Sequence, residues 1–132
     1  MAKIVTFKAK EVLGQDFAVM DSNRNIQKLN KCMKNIYKVI TKLDDSKNAI
    51  LADYSEAIAT EVINGTADLL KLSKEDTEKL QDMSYSEIFN FYSKAINDFT
   101  GMTVPSVQSM QENLLAATEP AKEEDPKQSS DE

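Results

Sequence analysis

The chain has 132 residues, 41% apolar and 29% charged, enough for one domain with a modest core. Its net charge of −6 argues against generic nucleic-acid binding, and no apolar run approaches the roughly 18 residues of a membrane span. The absence of histidine excludes a Ser–His or Cys–His nucleophile and a histidine metal ligand.

The opening, MAKIVTFKAKE, lacks the apolar h-region of a signal peptide. Cys32 is the single cysteine, so no internal disulfide forms, and a reducing cytoplasm is the expected setting. Residues 3–20 read as two short strands. Val5, Phe7 and Ala9 alternate with Thr6, Lys8 and Lys10, and Phe17 and Val19 alternate with Asp16 and Ala18. Leu13, Gly14 and Gln15 then turn a hairpin. A short helix over residues 7–13 is the competing assignment.

Residues 22–43 carry the most regular pattern in the chain. Ile26, Leu29, Met33, Ile36, Ile40 and Leu43 follow a 3, 4, 3, 4, 3 spacing, one apolar stripe along a helix. The opposite face carries Arg24, Lys28, Lys31, Lys34, Lys38 and Lys42. Asp21 or Ser22 caps this helix. Cys32 borders the stripe and reads as a structural, partly buried cysteine rather than a nucleophile. Asp44, Asp45 and Ser46 end the helix and cap the next, which predicts an antiparallel helical hairpin with a tight joint. Asp44, Ser46 and Asn48 mimic the start of a calcium loop. Ala49 and Ser55 stand where that loop needs glycine and glutamate, so no EF-hand is expected.

A second helix is expected from about residue 47 to 63, with Ile50, Leu51, Tyr54, Ala57, Ile58 and Val62 inward. Asn64-Gly65 reads as its stop. A short helix over 66–72 and another over about 74–82 follow. Ser84 and Glu87 form a capping-box pattern that opens a helix over 85–99. Five of the nine aromatics lie there. With Ile88, Ala95 and Ile96 they cover roughly 160° of the helix, wider than the usual stripe of about 100°. So wide a face either touches two neighbours in the core or offers an edge to a partner, and Phe89, Phe91, Tyr92, Ile96 and Phe99 are its candidate binding residues. Thr100 and Gly101 end it. Val104 and Pro105 open a last helix with Val107, Met110 and Leu114 inward. Residues 118–132 lack periodicity and large apolar side chains, and read as a disordered acidic tail.

The expected architecture is mainly α, a small helical domain of about five helices over 22–117. It is preceded by the segment 1–21 with its short β-hairpin and followed by the tail 118–132. No catalytic group, metal or cofactor is expected.

Charge is unevenly placed. Residues 1–47 hold ten Lys or Arg and five Asp or Glu; residues 48–117 hold four and eleven; residues 118–132 hold two and six. The basic and acidic parts either neutralise each other within one fold or drive head-to-tail self-association. Arg24, Lys28, Lys31, Lys38 and Lys42 are the candidate self-association or acidic-partner face.

A short acidic chain opening on KIVTFKAKEVLGQDFAV, followed by the long helix NIQKLNKCMKNIYKVITKL, a helical body and a charged C-terminus, resembles the tail assembly chaperones of long-tailed, siphovirus-type bacteriophages. The resemblance is architectural and spans the whole chain. It implies a non-enzymatic protein of the host cytoplasm. Such proteins coat the helical, aggregation-prone tape measure protein before tail tube subunits polymerise around it, and they often self-associate. It also implies a programmed frameshift, which would fall within residues 115–132, at the codons of Lys122 or Lys127. The alternative expectation is a small acidic regulatory or inhibitory protein that binds one folded partner. Neither involves nucleic acid or membrane.

Overall fold

The computed structural model describes residues 2–105 and is mainly helical, with five α-helices and a two-stranded antiparallel hairpin. The order is β1 (Ile4–Phe7), α1 (Lys10–Leu13), β2 (Phe17–Met20), α2 (Asn23–Asp44), α3 (Leu51–Leu70), α4 (Lys74–Lys79), a 3₁₀ turn (Leu80–Asp82) and α5 (Tyr85–Thr100). The helix expected after Pro105 and the acidic segment 118–132 lie outside the described residues.

The hairpin follows its two-residue alternation. Ile4 stands opposite Met20, Val5 opposite Val19, Thr6 opposite Ala18 and Phe7 opposite Phe17. Val5, Phe7 and Val19 are buried, whereas Ile4, Thr6, Ala18 and Met20 face outward. The connection combines elements of both expectations for this segment. It is neither a tight turn nor a helix over 7–13, because the helix occupies only Lys10–Leu13. Asp16 Oδ1 accepts from the N–H groups of Ala9 and Lys10, at 2.9 and 3.0 Å, and so caps that single turn. Gly14, at φ 85°, closes it in the left-handed conformation that glycine adopts without steric cost.

Ser22 caps α2, its Oγ accepting from Asn25 N–H at 3.2 Å. Leu29, Met33 and Ile36 of the stripe are buried, and Ile26, Ile40 and Leu43 half-buried. Helix α3 returns antiparallel. Lys28 Nζ donates to the Asp68 carbonyl, Cys32 Sγ to the Glu61 carbonyl, and Tyr54 Oη to Asp44, so positions rise along α2 as they fall along α3.

Two boundaries differ from expectation. Helix α3 begins at Leu51 rather than 47, so the joint is longer than expected. Asp53 Oδ2 reaches back to the Ile50 N–H at 3.0 Å and fixes the start there. Asn64-Gly65 does not stop the helix, and no separate helix covers 66–72. Helix α3 runs unbroken to Leu70 and ends at Lys71, at φ 57°, with Leu72 N–H bonded to the Ala67 carbonyl at 3.0 Å. Gly65 serves close packing instead. A Cβ there would collide with Cys32 Sγ and stand 3.0 Å from Cys32 Cβ and 3.3 Å from a Tyr92 ring carbon.

Helix α5 packs against α3, α2 and β1. Ser84 Oγ accepts from Glu87 N–H at 3.4 Å, half of the expected capping box, and Gly101 (φ 79°) ends the helix. Ile36, Ile58, Val62, Leu80, Ile88, Tyr92 and Ile96 form the fully buried centre of the core.

Candidate protein-binding surfaces

The aromatic helix is internal. Phe91 packs on Phe7 of β1, with ring centroids 4.9 Å apart and planes at 50°. Tyr92 is fully buried, its Oη donating to the Leu29 carbonyl of α2 at 3.3 Å. Ile96 is fully buried as well. Phe91, Tyr92 and Ile96 are therefore core residues, a correction to their expected binding role. The wide apolar arc arises because α5 serves two neighbours, the hairpin and the α2–α3 pair. Phe89 and Phe99 are half-buried against the same core, and Phe89 lies 5.9 Å from the Tyr85 ring.

The exposed apolar surface lies on the hairpin instead. Ile4 (61% exposed) and Met20 (48%) are cross-strand neighbours on its outer face. Asp21 N–H donates to the Lys3 carbonyl at 3.1 Å, which sets the phase of the ladder. By the alternation of an antiparallel ladder, Val5 and Phe7 also bond to β2, and the N–H and C=O groups of Ile4 and Thr6 point away from it. That open edge faces α5. A groove of about 390 Å³ runs between them, lined by Val5, Thr6, Phe7 and Lys8 on the strand and by Glu87, Asn90, Phe91 and Lys94 on the helix. The helical residues follow the i, i+3, i+4, i+7 spacing of one face. Lys3 holds the strand in place, with Nζ on the Asp98 carbonyl and its own N–H on Asp21 Oδ1, both at 3.1 Å. The sequence contained a signal for this surface. The alternation that buries Val5 and Phe7 turns Ile4 outward.

The basic face of α2 is present as expected. Arg24, Lys31, Lys34, Lys38 and Lys42 are exposed and Lys28 is half-buried. Among the described residues the ion pairs are Lys79 with Asp76 and Lys94 with Asp98, each within one helix. Among the described residues no carboxylate lies within 4 Å of the cations on this face. Tyr37, 50% exposed, borders this face.

Cys32 is buried, its Sγ donating to the Glu61 carbonyl at 3.3 Å, and burial pushes its thiol up to about 11 from an ordinary 9.0. So high a value leaves almost no thiolate at neutral pH. Tyr54 is pushed up to about 12, first by its hydrogen bond to Asp44 and then by burial, which keeps it a phenol. Burial raises Tyr92 further still. Among the described residues no cluster of three His, Cys, Asp or Glu side chains could hold a metal, and no helix is long and apolar enough to cross a membrane. A cleft of about 650 Å³ between β2, the start of α2 and the end of α3 is lined by Ser22, Asn23, Arg24, Asn25 and Lys71 beside Phe17 and Leu69, with no acid–base pair among them.

No family model, curated protein or solved structure matches the chain.

Proposed function

We propose that this chain is a non-enzymatic assembly chaperone. It binds an elongated, aggregation-prone helical client, the tape measure protein of a long bacteriophage tail, and keeps it soluble in the host cytoplasm before the tail tube polymerises. The observation that carries protein binding is the outward pair Ile4 and Met20 beside the open β1 edge. An apolar pair next to free backbone donors and acceptors contacts a client through side chains and main chain alike, with little demand on client sequence. Full burial of such side chains is worth about 1.5–3 kcal/mol each, so one copy binds weakly and many copies along one client bind well. The identity of the client rests on the sequence resemblance. Self-association of copies along the client belongs to the same proposal.

A second reading has one observation in its favour. The basic face of α2 lies free of ion pairs among the described residues, which suits a regulator that docks on one acidic, folded partner.

The test is co-expression with the largest helical protein encoded beside this gene, followed by size-exclusion chromatography with light scattering. Many copies on a client that is soluble only in their presence support the chaperone. Replacing Ile4 and Met20 by serine should then release the client while the chain stays folded. A monomer beside an insoluble client removes the proposal, and a 1:1 complex with a folded protein supports the regulator.

A further inference from the structure

The basic face of α2 and the acidic end of the chain are opposite in charge, and the fold brings the start of one near the exit of the other. Helix α2 spans about 33 Å at 1.5 Å per residue. Along its outer side Arg24, Lys31, Lys34, Lys38 and Lys42 are exposed, with no carboxylate partner among the described residues. The sixth cation, Lys28, is turned toward α3, where it donates to the Asp68 carbonyl at 3.0 Å. Glu61 and Asp68 border Lys28 and Lys31 from the α3 side, so the side away from α3 carries the least compensated charge.

Helix α5, the last helix of the described body, ends near the start of this face. Lys3 bonds through Nζ to the Asp98 carbonyl near the end of α5, and through its own carbonyl to Asp21 N–H just before α2. The end of α5 and the start of α2 therefore share one end of the molecule. Val104 is still buried against the body, and Pro105 is the last described residue. Residues 106–117 then provide a connector of up to about 40 Å when extended. Residues 118–132 follow, with six acids against two lysines.

We propose that α2 presents an acidic-peptide docking surface whose resident occupant is the chain's own segment 118–132. The contact is electrostatic. Single exposed pairs are weak, and it is the tether that makes several of them count by holding the segment at a high effective concentration. The docked segment competes with any acidic partner for the same face, so partner binding through α2 requires its displacement. This proposal stands independently of the chaperone reading and is tested without a client.

The test is paramagnetic relaxation enhancement on the full chain. A nitroxide is attached at Gln128→Cys; the buried Cys32 does not compete for the label, and treated wild-type protein is the control. At low ionic strength the amide signals of residues 24–42 should lose intensity. They should recover at 1 M salt, where the Debye length falls to about 3 Å. They should also recover in Lys31→Glu/Lys34→Glu/Lys38→Glu, whose changes are all on the surface. A second variant, Glu119→Gln/Glu123→Gln/Glu124→Gln/Asp125→Asn, alters only the tail and should give the same recovery. Undiminished signals along α2 at low salt overturn the proposal, as does a loss that persists in both variants. A mixture of isotope-labelled, nitroxide-free chains with nitroxide-bearing, unlabelled chains separates the occupants. Signal loss in that mixture as strong as in the single-species sample means the tail of a second copy occupies the face, and overturns the intramolecular assignment.

Discussion

Gly65→Ala tests the unexpected course of α3. In an open helix this substitution stabilises by about 1 kcal/mol, because alanine has the better helix propensity. Here the new methyl meets Cys32 Sγ and stands 3.0 Å from Cys32 Cβ and 3.3 Å from the Tyr92 ring. Cys32 is tied to α3 itself by its bond to the Glu61 carbonyl, one turn before Gly65, and Tyr92 is tied to α2 by its bond to the Leu29 carbonyl. Neither can retreat without losing a buried hydrogen bond. Overpacking of this kind costs about 1–3 kcal/mol. The net expectation is therefore a loss of about 1 kcal/mol where an exposed site would gain that much. Removing the sulfur should reverse the sign. In Cys32→Ala/Gly65→Ala the methyl occupies the volume the sulfur leaves, so the double variant should be more stable than the two single changes summed by about 1–3 kcal/mol. Urea unfolding of the four proteins in a double-mutant cycle measures this directly. A stabilised Gly65→Ala single variant, or a cycle additive within about 0.5 kcal/mol, would refute the close approach and return Gly65 to the role of a helix stop.

The other predictions concern the core and its titration. Thr66 is fully buried in α3 and its Oγ1 has no hydrogen-bond partner, so Thr66→Val, equal in shape, should raise stability by about 1 kcal/mol; a lower urea midpoint would mean that the hydroxyl is satisfied. Cys32 titrates near 11 in the fold against an ordinary 9.0, so its share of stability is whole below pH 9 and falls as pH climbs toward 11. The stability difference between wild type and Cys32→Ala should shrink between pH 8 and pH 10.5, and a constant difference would contradict the burial. Phe91→Ser should cost about 3–5 kcal/mol because it empties the contact with Phe7, whereas Ile4→Ser should stay within about 0.5 kcal/mol. Equal unfolding midpoints for those two variants would contradict the division into core and binding surface.

The sequence was most informative where one period decided one contact. The stripe of α2 and the alternation in β1 each place a single face against a single body, and their buried residues follow the pattern. The wide apolar arc over 85–99 was ambiguous for a physical reason. Periodicity gives the width of a face but not what covers it, and Phe7, which covers Phe91, lies 84 positions away in sequence. Asn64-Gly65 failed in a similar way. A glycine that frees the backbone and a glycine that admits a neighbour are the same letter, and only the positions of Cys32 and Tyr92 separate them. Lys71, which ends α3 in the left-handed conformation, carries no such signal at all.

The candidate binding surface was legible in part, and for a reason that bears on function. Burying Val5 and Phe7 obliges Ile4 to face outward, and pairing in register brings Met20 beside it. A polar residue at either position would keep the hairpin and its inner face intact, so packing alone does not require apolar side chains there. The same holds for the lysines of α2, which serve no ion pair among the described residues. Where packing leaves a residue type free, its chemistry is available for contacts beyond the core. On this fold such freedom coincides with two surfaces, the outer hairpin and the basic helix. The first suits apolar and main-chain contact; the second suits acidic peptide.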